Sequence, residues 1–98
     1  MYTVMNRIPV PAESAAAFEE RFVGSMRETL PGVAGLLGAR LLRPAQPGDE
    51  YVAVMEFTDR EAFTAWMRSP AFHAAHGPDT QGMGGSVEMF ETVAAVGA

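Results

Sequence analysis

Apolar residues recur along this chain with two different periods, and the change from one to the other marks its elements. In residues 2 to 10, Tyr2, Val4, Ile8 and Val10 alternate with Thr3, Met5, Arg7 and Pro9, the two-residue period of a strand. Pro9 and Pro11 end it, because neither carries a backbone N–H for a ladder. From Glu13 the spacing widens: Phe18, Phe22 and Met26 repeat at every fourth position with Val23 and Leu30 beside them. Glu19, Glu20, Arg27 and Glu28 fill the opposite side. This pattern predicts a helix of about four turns, closed at Pro31-Gly32.

Residues 33 to 43 and Tyr51 to Phe57 are rich in strand formers and flank the breaker-rich stretch Pro44 to Asp49, which reads as an antiparallel hairpin. Gly35 and Gly38 interrupt its first arm, the signature of a bulge or of a close backbone approach. Asp59 is placed to cap a helix from Arg60 to Arg68 whose apolar side is Ala62, Phe63, Trp66 and Met67. Ser69 and Pro70 restart a shorter helix carrying Phe72 and His76, with serine as N-cap and proline at the first helical position. Gly77-Pro78 stops it. A glycine-rich loop fills residues 77 to 85, and a last strand runs from Ser86 to Val93.

The order β-α-β-β-α-β defines an α+β, ferredoxin-like domain over residues 1–98, with both helices on one face of a four-stranded antiparallel sheet. The second face stays uncovered. Apolar residues such as Met5 and Leu37 would lie exposed there, so the pattern predicts a homodimer in which two sheets pack together as a dimeric α/β barrel.

Charge narrows the choice of partners. The net charge of −5 sets twelve carboxylates against seven scattered arginines, and there is no lysine. Nucleic acid is excluded as a partner, since attraction to phosphate needs clustered positive charge. The absence of cysteine removes disulfides, thiolate nucleophiles and cysteine-bound metal centres. Met1 leads directly into strand residues, with no secretory signal and no apolar run long enough to span a bilayer. A cytoplasmic protein with no membrane partner is the expectation.

Three side chains stand out because the pattern around them asks for plain aliphatics. Asn6 sits on the apolar face of the first strand, where burying an amide costs about 1–3 kcal/mol unless it is hydrogen-bonded. Its partner is either a ligand or a neighbouring backbone group. Trp66, the sole tryptophan, shares a helical stripe with Phe63 and Met67 and is either core or pocket wall. His76 follows Phe72 by one turn and is either a metal ligand or a helix-ending histidine bonded to a carbonyl. Arg21, mid-helix, is placed to pair with an anionic ligand or with a nearby glutamate. His73 and His76 alone do not complete a zinc site, and the Gln81 to Gly85 run precedes a strand instead of opening a phosphate-binding helix.

Asn6-Arg7-Ile8-Pro9-Val10, Gly38 to Pro44, and the run from Glu61 through Trp66 and Phe72 to His76 together resemble the antibiotic biosynthesis monooxygenase superfamily. Within it, they resemble the bacterial haem-degrading monooxygenases of the iron-regulated surface determinant type. The resemblance covers nearly the whole chain. It implies that His76 is the proximal iron ligand, Asn6 the distal hydrogen-bond donor and Trp66 the wall that ruffles the porphyrin. Arg21 would lie near the propionates, and Phe22, Phe63 and Phe72 would complete the haem-binding set. The implied chemistry opens haem with O2 and electrons from an external donor, a reductase or a small reductant, and releases iron. Two alternatives stay open: a cofactor-independent quinol or polyphenol monooxygenase, and a haem-binding module without turnover.

Overall fold

The computed structural model describes residues 1–70, 72 and 86–97. Its elements are β1 (Tyr2–Ile8), a 3-10 turn (Ala12–Ser14), α1 (Ala15–Thr29), β2 (Leu36–Leu42), β3 (Tyr51–Phe57), α2 (Arg60–Met67) and β4 (Ser86–Glu91). All strand pairs are antiparallel in the order β2-β3-β1-β4, so each helical crossover skips one strand, as the ferredoxin-like pattern predicts. Pro70 and Phe72 are helical, and Ser69 accepts a 3.3 Å hydrogen bond from the Phe72 backbone, as expected of an N-cap. Asp59 caps α2 by accepting from the Ala62 backbone at 2.8 Å.

The β1–β3 and β1–β4 registers put Tyr2, Val4 and Asn6 on one face beside Phe57, Met55 and Ala53, with Val87 across from Asn6. This is the helix face, and it is filled unevenly. At one end Tyr2, Val4 and Phe57 join Phe63, Trp66 and Phe72 in the buried core. Phe57 is wholly enclosed, and its ring lies 5.5 Å from Phe63 and 5.9 Å from Trp66. Trp66 is further braced by Phe72, edge-on at 4.9 Å. Rings at these separations add roughly 0.5–1.5 kcal/mol per pair to the burial of their area. The core thus lies between α2 and one half of the sheet.

Gly35 explains how α2 comes so close. Its φ is +78°, and a Cβ built there would stand 2.5 Å from the Cβ of Ala62, inside any allowed contact. Its carbonyl accepts from the Thr58 backbone at 2.8 Å, tying the entry of β2 to the start of α2. Gly38 has a different role, since it follows the bulge between Leu36 and Gly38, and the intervening Leu37 is 57% exposed.

The opposite face carries Met5, Val52, Val54, Leu42 and Phe90, together with the ion pairs Arg7–Glu88 (2.8 Å) and Arg40–Glu56 (3.5 Å). No described helix is long and apolar enough to cross a membrane.

The contact at Gly35 generates a first prediction. Gly35→Ala is expected to lower the unfolding free energy by about 2–4 kcal/mol, through left-handed backbone strain and overlap with Ala62. Gly24→Ala, on exposed helix with nothing within 4 Å, should raise it by about 0.5–1 kcal/mol. Urea titration of both variants measures the two effects.

Candidate active site

Beyond the aromatic half, the helix face changes character. Ala39 and Ala53 replace bulky side chains on β2 and β3, and Asn6 and Val87 occupy the neighbouring positions of β1 and β4. Above them runs α1, whose Phe18, Phe22 and Met26 recur every fourth residue, as the pattern predicts, yet none of whose residues is buried. The helix stands off from side chains this small. The result is a pocket of about 370 Å³ between α1 and the sheet. Its size lies in the range of small-molecule sites.

Four of the residues singled out from sequence meet in this pocket. Asn6 forms part of its floor, Trp66 closes the end next to the core, and Arg21 and Phe22 belong to the α1 wall. Phe63 and Phe72 do not line it. Both are buried in the core, where they brace Trp66. The reason is the helical stripe itself, which directs Phe63 into Phe57 and Tyr2. His76 lies outside the described residues. So does His73.

The Oδ1 atom of Asn6 is buried without a hydrogen-bond partner among the described residues. An amide in that state raises the free energy of the empty pocket by about 1–3 kcal/mol, and it favours any ligand that brings a polar atom to this spot. Rotation about the last side-chain bond exchanges oxygen and NH2, so the position can accept or donate. Arg21 is exposed at the pocket and forms no ion pair with a described residue, which leaves its five donors available to a carboxylate. The remaining walls are mostly apolar, with Ser25, Thr29 and Arg40 also on the lining. Such an arrangement suits a flat, largely apolar molecule with an anionic edge. Among the described residues no three His, Cys, Asp or Glu side chains cluster as a metal site.

Sequence reasoning missed one group next to the pocket. Glu19, on α1, takes two hydrogen bonds of 2.6 Å from the Arg43 guanidinium and one from the Tyr51 hydroxyl. These bonds, Arg43 first, hold the Glu19 carboxyl at about 2, well below the usual 4.5. The same contacts push Arg43 up, and the carboxylate beside Tyr51 raises its phenol. Glu19 and its partners are 24 and 32 residues apart, so no local motif announces them.

With the pocket so defined, its affinities are clear. Residues 1–78 match the antibiotic biosynthesis monooxygenase family, and the chain belongs to it. Over 95 residues it is 36% identical to a haem oxygenase (mycobilin-producing) of Mycobacterium tuberculosis, a match that spans 95% of this chain and 90% of the relative. The solved structure of MhuD, a haem-degrader from Mycobacterium tuberculosis with two haems bound in its active site, superposes with a TM-score of 0.81. That pair is 33% identical and covers 99% of this chain and 100% of the other. A mutant of MhuD with two manganese protoporphyrin IX groups per active site gives 0.82 at 34% identity, covering all of both chains. HapK from Hahella chejuensis, at 22% identity and a TM-score of 0.76 over 100% of this chain and 98% of its own, shares the fold.

The Glu19 cluster makes stability pH-dependent with a definite sign. Because the folded carboxyl titrates near 2 and the free one near 4.5, the contribution is fully present above 4.5 and lost as pH falls towards 2. Wild-type stability should therefore fall more steeply than that of Glu19→Gln across that interval. Equilibrium unfolding at a series of acid pH values measures both slopes, and parallel curves would reject the assignment.

Proposed function

We propose that this protein is a haem-degrading monooxygenase that opens the porphyrin with O2 and external electrons and releases iron. The observation that carries the reading is the buried, unpartnered amide oxygen of Asn6 in a mostly apolar pocket. Relatedness to a haem oxygenase along 95% of the chain supports it.

In this reading the pocket holds haem as substrate and cofactor together. The residues fit it: apolar walls for the macrocycle, one amide inside, and an arginine at the rim for the propionates. Bound haem supplies the iron at which O2 is reduced and the ring carbons that are oxidised. His76 would hold the iron through an imidazole nitrogen. Asn6 would offer its NH2 as a hydrogen-bond donor to a small oxygen ligand. Trp66 is held from behind by Phe57, Phe63 and Phe72, so it would offer a flat ring a rigid wall. Arg21 pairs with carboxylates at the edge and sets which way round the ring enters. Electrons come from a reductase or a small reductant.

The apo-protein titrated with haemin is expected to develop a Soret band that His76→Ala lacks, and ascorbate in air should bleach it with iron release. Asn6→Leu should raise apo-protein stability by about 1 kcal/mol by removing the unpaired amide, while slowing turnover about 10²-fold. Full binding by His76→Ala would overturn the ligand assignment. Stable haem without ring opening would select a binding module, and O2 uptake with a quinol and no haem would select cofactor-independent oxidation.

The same proposal includes a homodimer packed through the open sheet face. Leu42 and Phe90, 40% and 46% exposed, form an apolar surface there with the half-buried Met5 and Val52. Sedimentation at micromolar concentration is expected to give twice the 10.5 kDa chain mass, and a monomer would reject this part.

A further inference from the structure

The pocket depends on a helix that the sheet barely holds. No residue of α1 is buried, and most of its inward side chains line a cavity. Among the described residues, no hydrogen bond or ion pair joins α1 to the strands or to the hairpin between them except through Glu19. That tie lies at the N-terminal half of the helix. Its partners flank the β2–β3 hairpin: Arg43 directly follows β2, and Tyr51 opens β3.

The tie also reaches the pocket wall by contact. Phe18, the residue before Glu19, meets the Tyr51 ring edge-on at 5.0 Å and lies 5.3 Å from Phe22, and both phenylalanines line the cavity. Tyr51 is itself 3% exposed, so its ring is fixed. A shift of the Glu19 carboxylate therefore moves Phe18 and Phe22 with it.

We propose that Glu19, clamped by Arg43 and Tyr51, is a positioning residue that holds α1 at the stand-off setting the pocket's width. It does not line the pocket. A fork of two parallel N–H bonds to one carboxylate defines an orientation as well as a distance, which a single flexible ion pair does not. The clamp opposes outward swinging of the helix. The inference concerns the pocket and holds for any ligand. The haem reading enters only in the second measurement below.

Trp66, the only tryptophan, lines the pocket and reports on it. In ligand-free protein, acrylamide quenching of its fluorescence is expected to rise about two- to fivefold in Glu19→Gln and in Arg43→Gln, the scale on which a tie of this kind shifts an open–closed balance. Arg27→Gln, on the same helix and outside the clamp, should match wild type. The charge-swapped pair Glu19→Arg with Arg43→Glu should recover most of the change. Haemin release should quicken by a similar factor with the Soret position unmoved. Arg43 is largely exposed, so its variant is expected to fold even if the Glu19 variant does not. Unchanged quenching in Arg43→Gln alongside a lowered melting temperature would overturn the proposal and leave the cluster a purely structural tie. Raised quenching with no haemin binding by wild type would uphold the clamp and sink the haem reading instead.

Discussion

Everything on the helix side of this sheet depends on how the rings around Phe57 pack. Phe57, Phe63, Trp66 and Phe72 interlock at centroid separations of 4.9–6.3 Å, and Gly35 lets α2 sink onto them. This half is dense and fixes the height of α2. The other half has the same backbone spacing but carries Ala39, Ala53 and Asn6, so α1 spans a gap. Core and cavity are two outcomes of one sheet whose residues change size along its strands.

Trp66 belongs to both halves. Its indole is 5% exposed and packs as a core residue, yet it also closes one end of the pocket. The two descriptions offered by the sequence are therefore not rivals, because a wall must be buried from behind to stay rigid in front. A side chain that reshapes its ligand needs such backing, and the aromatic cluster supplies it.

Much of this was legible in the letters. Alternation from Tyr2, the fourfold spacing of Phe18, Phe22 and Met26, Asp59 before an apolar stripe, and Ser69-Pro70 each act through the backbone within a few residues, so the elements follow from local rules. Asn6 was conspicuous for the same reason, as a polar residue where the period required an apolar one. What remained hidden came from side chains brought together by the fold. Nothing near Glu19 points to Arg43 or Tyr51, and the importance of Ala39 and Ala53 lies in what they leave empty, which no periodicity records. Phe63 shares a stripe with Trp66 and Phe72 follows it in the chain, and only their packing against Phe57 and the indole separates supporting rings from the lining one. The haem reading of His76 rests on resemblance.

The two alanines on the pocket floor have a consequence for how such a scaffold diversifies. Since the room is made by missing side-chain atoms and not by spreading the strands, each added methyl or isopropyl there would shrink the chamber in small steps. The aromatic buttress, the strand register and the seat of α2 would remain untouched. Guest selectivity can thus drift on one half of the layer while foldability is guarded by the other, which suits a fold whose distant members retain their shape at low sequence identity.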